Sequence, residues 1–194
     1  MSQAQLLIDA TRALDAAGVG YLLTGSIASS LQGEPRASHD VDIVIEVDVR
    51  VIVALASAFG TDRYFFDEIA AAAALDDRGM FNLIDTRSGD KVDFWMLTEH
   101  PFDRSRFDRR VTTQAFGARL CVSSPEDTIL QKLRWADASG GSERHVWDAL
   151  GVYEVNHGVL DESYLDTWAA ALGVSDLLSA LRNQFGGHGP GGAR

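Results

Sequence analysis

Three aspartates, Asp40, Asp42 and Asp93, are the residues whose type and spacing suggest chemistry most directly. Asp40 and Asp42 alternate along a predicted β-strand, so both carboxylates lie on one face, about 6–7 Å apart. Two like charges this close repel each other unless a cation lies between them. Asp93 interrupts a second apolar strand, and if the two strands are neighbours, the three carboxylates suit Mg²⁺ or Mn²⁺. We therefore predict a metal site. The three carboxylates could hold two ions about 3.5–4 Å apart, which is the spacing for in-line phosphoryl chemistry.

A simpler interpretation of these acids also exists. Taken alone, Asp40 and Asp42 are more typical of a solvated strand face, and Asp93 of a buried acid paired with an arginine.

Gly25 and Ser26, upstream of the acidic strand, have the features of a phosphate cradle. Glycine allows close approach of the backbone to a ligand, and Ser26 begins a short predicted helix whose N-terminal N–H groups attract phosphate. A cradle, a loop and a diacid strand together predict triphosphate binding, with metal at the α-phosphorus. The two residues alone would favour a plain turn with Ser26 as helix N-cap.

The apolar periodicity predicts an α+β architecture in which a mixed sheet with flanking helices is followed by helices alone. Strands are predicted over 19–24, 40–47, 80–86, 91–97, 111–115 and 119–122. Helices are predicted over 4–17, 27–32, 49–59 with Asp48 as N-cap, 66–75, 125–138 with Ser124 as N-cap and Pro125 at the first helical position, 143–155, 161–172 and 175–185. The corresponding division is a core over 1–122, a helical domain over 123–185 and a disordered tail over 186–194.

Composition and missing motifs limit the function classes. The net charge of −11 and the pI near 4.7 argue against a protein that coats DNA non-specifically. The lone Cys121 excludes an internal disulfide and fits a reducing compartment, and the N-terminus lacks the pattern of a signal peptide. No apolar run is long enough to span a bilayer. There is no His-Glu-x-x-His, Gly-x-Ser-x-Gly or Walker-type motif. We expect a cytoplasmic protein without a membrane partner.

With these residues in place, the sequence resembles the polymerase-β-type nucleotidyltransferase superfamily. The resemblance is carried by Gly25-Ser26, the loop region that follows and Asp40-Val41-Asp42, with Asp93 as a third acid. A closer similarity is to the AbiEii/MenT-type nucleotidyltransferase toxins of bacterial toxin–antitoxin systems. The segments that resemble this group are Leu23–Ala28, Gly33, Arg36–Ile43, Ser124–Asp127 with Lys132-Leu133, and Arg144 with Asp148.

This resemblance implies a polymerase-β-like nucleotidyltransferase core followed by a C-terminal helical bundle. It implies Mg²⁺-dependent transfer of a nucleoside monophosphate from an NTP to a hydroxyl, with pyrophosphate leaving. Asp40 and Asp42 would hold Mg²⁺, and Asp93 would help to activate the attacking hydroxyl. Lys132 would contact the nucleotide phosphates, and Asp148 would be required for function. The toxin group further implies an RNA acceptor, the 3′ end of tRNA, a block of translation and a cognate antitoxin partner.

Three of the candidate residues have structural alternatives, and a fourth, Ser38, is a candidate for modification. Lys132 flanks an apolar helical stripe, so it is either a cleft residue or a solvated lysine. Asp148 lies four residues after Arg144, an ordinary salt-bridge spacing in a helix. Arg36 is expected to bind phosphate, against a role in surface solubility, and Ser38 of the same loop is expected to belong to the nucleotide site. Ser38 precedes Asp40 by two residues, and a phosphate on it would add about two negative charges beside the carboxylates. We therefore predict that phosphorylation of Ser38 inactivates the enzyme.

The densest basic run, 102–110, has two interpretations. It could contact an RNA backbone with Phe102 or Phe107 as stacking residues. Because Asp103 and Asp108 nearly neutralise it, a helix with internal salt bridges is favoured.

Other functions also fit parts of the pattern. Within the same reaction class, the acceptor could be a small molecule such as an aminoglycoside, or a protein side chain, which the acidic pI favours. An Asp-x-Asp glycosyltransferase is less consistent with the Gly-Ser helix entry and the third acid. A non-catalytic module or antitoxin would be expected to have lost one of the three acids.

Overall fold

The computed structural model describes residues 3–38, 40–60 and 62–187, which form two compact units. The first unit contains the chain up to Ile27 together with Ala37–Ser123. The second contains Ala28–Arg36 together with the described chain from Ser124 onward. Buried apolar residues occur in each of them.

A seven-stranded mixed sheet is the centre of the first unit. Its strands are β1 (Tyr21–Thr24), β2 (Asp40–Ile45), β3 (Tyr64–Phe66), β4 (Met80–Asp85), β5 (Lys91–Met96), β6 (Val111–Ala115) and β7 (Ala118–Val122). Their order across the sheet is β3-β4-β5-β2-β1-β7-β6. The pairs β2–β5 and β1–β7 are parallel, and the other neighbouring pairs are antiparallel.

One face of this sheet is buried and apolar because alternate residues of the central strands are β-branched or aromatic. Val41 and Ile43 of β2 lie beside Val92 and Phe94 of β5, and all four are fully buried. The Phe94 ring stacks on Phe81 of β4 with ring centroids 5.1 Å apart. This packing leaves the acidic residues of β2 and β5 on the opposite face.

The helices of the first unit are α1 (Gln3–Ala16), α3 (Val49–Phe59), α4 (Glu68–Asp77), α5 (Pro101–Asp108) and the start of α2 (Gly25–Gln32). Asp48 caps α3 as predicted, since its carboxylate accepts the N–H groups of Arg50 and Val51. The start predicted for α4 is wrong. Phe66 pairs with Leu83 as part of β3, and the helix begins only after its N-cap, Asp67.

Helix α5 resolves the two interpretations of the basic run in favour of internal pairing. Phe102 is fully buried and Phe107 is nearly so, so neither ring is available for stacking on RNA. The guanidinium of Arg106 lies 3.3 Å from Asp103, whose carboxylate also accepts a hydrogen bond from Thr98.

The second unit consists of helices. They are α6 (Pro125–Ala138), α7 (Glu143–Asn156), α8 (Glu162–Leu172), α9 (Ser175–Gly187) and the end of α2. Ser124 caps α6 as predicted, accepting the N–H of Asp127. Gly186 and Gly187 belong to α9, and the rest of the predicted tail, from His188, lies outside the described residues. Over the described ranges, no helix is both long and apolar enough to cross a bilayer.

Candidate active site

Four polar residues form one row across four neighbouring strands of the sheet. Thr24 of β1 is the register partner of Asp42 on β2, and Asp42 is the partner of Asp93 on β5. Asp93 is in turn the partner of Asn82 on β4. Register partners point to the same face, and adjacent strands lie about 4.7–4.9 Å apart. The structure thus brings Asp42 and Asp93 together as direct neighbours, from positions 51 residues apart in the chain.

Lys91 lies between the carboxylates of Asp40 and Asp93. Its Nζ is 3.4 Å from an oxygen of Asp40 and donates to Asp93 Oδ2 at 3.0 Å. The hydrogen bond to Asp93 and the charges of both acids raise the pKa of Lys91, so the ammonium stays charged. Lys91 therefore relieves part of the electrostatic repulsion between Asp40 on β2 and Asp93 on β5.

The carboxylate of Asp42 is held from both sides. Trp95 on β5 donates its indole N–H to Asp42 Oδ1 at 3.1 Å. On the other side is Gly25, which has a φ of +67°. A β-carbon at Gly25 would lie 2.0 Å from Asp42 Oδ2. Only glycine is compatible with both the backbone conformation and this contact.

Asp93 is buried, with both oxygens hydrogen-bonded. Asn82 donates its side-chain N–H to Oδ1, while Lys91 donates to Oδ2. The simpler interpretation of Asp93 had an arginine as its partner, whereas these contacts come from an asparagine and a lysine. Because Asp93 is only 6% exposed, these hydrogen bonds fix its position.

Gly25 and Ser26 are the first residues of α2, directly after β1. The first N–H groups of a helix have no partner within it and carry the positive end of the helix dipole. Since Gly25 also contacts Asp42, the start of α2 and the acid row are parts of one site in the first unit.

The donor set fits a magnesium ion that arrives with a nucleotide. No three His, Cys, Asp or Glu side chains form a ready ligand group within the described part of the chain. Mg²⁺ is commonly bound by only one or two protein carboxylates, with phosphate oxygens and waters completing the shell. Asp40 and Asp42 supply two such carboxylates on one face of β2. The side chain of Asp40 is 51% exposed.

Arg36, Lys132 and Asp148 form a buried ion cluster in the second unit. Arg36 donates two hydrogen bonds to Asp148 at 2.6 and 2.7 Å, and Lys132 donates one at 2.6 Å. Burial would raise the pKa of Asp148, but the hydrogen bonds from Arg36 and Lys132 outweigh it and lower that pKa. Lys132 is only 1% exposed, so it is not a solvated lysine. The four-residue spacing between Arg144 and Asp148 suggested a salt bridge within the helix, whereas the structure pairs Asp148 with Arg36 and Lys132.

Ser38 lies in the loop that enters β2. Its hydroxyl donates to the backbone oxygen of Asp40 at 3.2 Å, and its side chain is partly exposed. This contact places the predicted modification site within the first unit, next to the strand that carries Asp40 and Asp42.

Sequence reasoning missed Lys91, Trp95, Asn82 and Thr24 as members of this site. The signal for two of them was present, because Lys91 and Trp95 are each two residues from Asp93 on one strand. Strand alternation therefore places all three on the same face.

No protein-family model matches the chain, and no curated protein matches it in sequence. Solved structures do match. The crystal structure of ANT(2'')-Ia in complex with adenylyl-2''-tobramycin is 14% identical, with 95% of this chain and 99% of that chain covered and a TM-score of 0.52. An antigenic nucleotidyltransferase-like protein from Paracoccidioides brasiliensis is 19% identical, with 93% and 92% covered and a TM-score of 0.54. At these identities the likeness concerns the fold, and it confirms the predicted fold class: this chain has a nucleotidyltransferase fold.

Proposed function

We propose that this chain is a nucleotidyltransferase that moves a nucleoside monophosphate from an NTP to an acceptor hydroxyl. The observation that carries the proposal is the row of Thr24, Asp42, Asp93 and Asn82, with the glycine start of α2 against Asp42. In this reaction the acceptor oxygen bonds to the α-phosphorus, the bond to the bridging oxygen breaks and pyrophosphate leaves. The hydroxyl proton passes to Asp93.

The residues in and around this row have separate proposed roles. Asp40 and Asp42 would hold Mg²⁺, or Mn²⁺, which would neutralise charge on the phosphates. The N–H groups at Gly25 and Ser26 would bind the triphosphate. Asn82 and Lys91 hold Asp93 in place, and this fixed position suits a group that must meet a hydroxyl at a defined distance.

The ion cluster of the second unit suggests a division of roles among its members. Lys132 and Asp148 are 2% and 7% exposed at their side chains, whereas Arg36 is 24% exposed. Arg36 is therefore the cation with more surface available to a phosphate, and its planar fork suits that ligand. Asp148 would orient Arg36. Lys132 would contact nucleotide phosphates only after breaking its ion pair with Asp148.

For the acceptor we propose RNA, namely the 3′ end of tRNA. The support is the resemblance of Arg36–Ile43, Ser124–Asp127 and Lys132 to the AbiEii/MenT-type toxins. Modification of tRNA would block translation in the cytoplasm, and a cognate antitoxin would be the natural partner of such an enzyme. The nucleotidyltransferase fold gives the glycosyltransferase alternative no support.

A second candidate is transfer to an aminoglycoside. ANT(2'')-Ia, which shares the fold, is crystallised with adenylyl-2''-tobramycin, and the net charge of −11 would attract a polycationic acceptor. Transfer to a protein side chain is the remaining alternative of the same class.

The acceptor is tested by following the α-phosphorus. The protein is incubated with Mg²⁺, each NTP labelled at the α-phosphate, and either total RNA, an aminoglycoside mixture or a cell protein extract. The RNA proposal predicts label at RNA 3′ ends, with tRNA as the main product. Label in the aminoglycoside or in protein, with RNA unlabelled, would select the corresponding alternative.

A further inference from the structure

We propose that Trp95, together with Met80, forms a platform on which the terminal nucleobase of the RNA acceptor stacks. This inference rests on the proposed function and names the acceptor-binding surface of the same site. Trp95 and Met80 are register partners on β5 and β4, one row along from Asp93 and Asn82. They share the face of the sheet that carries the acids.

Trp95 and Met80 belong to a second row of register partners, and the solvent exposure of its side chains changes abruptly from one strand to the next. On β1 and β2, the row contains Leu22 and Val44, which are buried in a cluster with Phe107 of α5. On β5 and β4, the same row contains Trp95 and Met80, which are 39% and 37% exposed. The exposed indole beside the buried acid is therefore a part of this face that a ligand can reach.

The direction of an in-line displacement assigns this surface to the acceptor. The attacking and leaving oxygens lie on opposite sides of the α-phosphorus. Gly25 and the start of α2 lie on the β1 side of Asp42. With the triphosphate bound at this helix start, as proposed above, pyrophosphate leaves toward that side. The acceptor hydroxyl therefore arrives from the β5 side, where Asp93 and Trp95 are located.

Trp95 has two separable groups that face this site. Its indole N–H is hydrogen-bonded to Asp42, which fixes the ring plane beside the reacting centre. Its ring is large and partly exposed, and aromatic rings stack on any nucleobase because every base has a π-face. Unpaired RNA ends are bound in this way, since their bases are free to stack.

The test measures RNA binding separately from transfer. A 5′-fluorescein RNA with an unpaired 3′ end is titrated by fluorescence anisotropy, with Mg²⁺ and a non-transferable α,β-methylene NTP analogue present. Trp95→Ala is expected to weaken binding roughly 5- to 150-fold, the range found for loss of one base stack. Trp95→Phe keeps an aromatic ring, so its binding stays within about threefold, while its turnover falls because Asp42 loses the N–H donor.

Three comparisons make the result specific. The penalty of Trp95→Ala should disappear with an RNA whose 3′ nucleotide lacks its base. Met80→Ala should weaken binding in the same direction, which covers the case in which Trp95→Ala does not fold. Trp147→Ala, on an exposed tryptophan of α7, should leave RNA binding unchanged.

The outcomes separate this inference from the function on which it rests. If wild-type protein labels RNA but Trp95→Ala binds RNA as tightly as wild type, the platform is wrong and the RNA function stands. If wild-type protein labels an aminoglycoside and not RNA, the RNA proposal fails and the nucleobase platform fails with it.

Discussion

The α-carbon of Gly25 packs directly against the carboxylate of Asp42, so closely that a β-carbon there would lie 2.0 Å from Oδ2. This contact joins the first residue of α2 to the central acid of β2. It means that the proposed phosphate cradle and the proposed metal ligand can only be present together when position 25 is glycine.

Gly25→Ala is therefore expected to displace Asp42 and abolish nucleotidyl transfer. The variant combines the strain of a φ of +67° with the clash at the carboxylate. Gly18→Ala is the matched control, because Gly18 has a φ of +68° and nothing lies within 4 Å of its added β-carbon. Both variants should lose stability, and only Gly25→Ala should lose transfer per folded molecule. Equal activity losses in the two variants would argue that backbone strain alone is responsible.

Asp148→Asn is expected to lower the free energy of unfolding by about 3–5 kcal/mol, because it removes the negative charge that buried Lys132 and Arg36 both contact. Asp166→Asn removes a partner of Arg182 on the surface and should cost about 0–1 kcal/mol. Urea denaturation of the two variants measures the difference. Similar small losses in both would contradict the buried cluster.

The stability of the second unit should fall with acid through His145. Burial and the charge of Lys132 lower the pKa of His145 below its ordinary value of 6.5. Just below pH 6.5 the unfolded chain therefore binds a proton at His145 that the folded chain does not, and acid favours unfolding. We expect the free energy of unfolding to drop between pH 7.5 and about pH 5.5, with a smaller drop in His145→Gln. Parallel pH profiles of the two proteins would exclude this role of His145.

Ser38→Glu is expected to inactivate transfer by placing a negative charge beside the strand that carries Asp40 and Asp42. Ser38→Ala loses only the hydroxyl contact to the backbone of Asp40 and should remain active. Transfer rates measured across a Mg²⁺ titration compare the two. Full activity of Ser38→Glu at every Mg²⁺ concentration would remove Ser38 as an inhibitory modification site.

Local pattern was sufficient to predict most elements of the fold. Alternation identified β2 and β5, and the Ser124 N-cap with Pro125 marked the start of α6. The three-residue strand β3 was missed because so short a segment has no clear period, and its pairing with β4 decides its structure.

Sequence spacing does not predict side-chain contacts between residues that are far apart in the chain. Arg144 is one helical turn from Asp148, yet the structure pairs Asp148 with Arg36, 112 residues away. Trp95 belongs to the apolar strand that Asp93 interrupts, and as the second residue after Asp93 it lies on the acid face. Its hydrogen bond to Asp42 depends on the order of the strands, which a single sequence does not specify.

The most direct test of the account measures transfer by wild-type protein and by Asp42→Asn, using NTPs labelled at either the α- or the γ-phosphate. We predict that with wild-type protein the α-label enters the acceptor, the γ-label appears in pyrophosphate, and both require Mg²⁺. Asp42→Asn should retain the circular dichroism of the wild type, transfer no α-label to the acceptor and release no γ-labelled pyrophosphate. Transfer by Asp42→Asn at the wild-type rate would contradict the acid row as the catalytic centre.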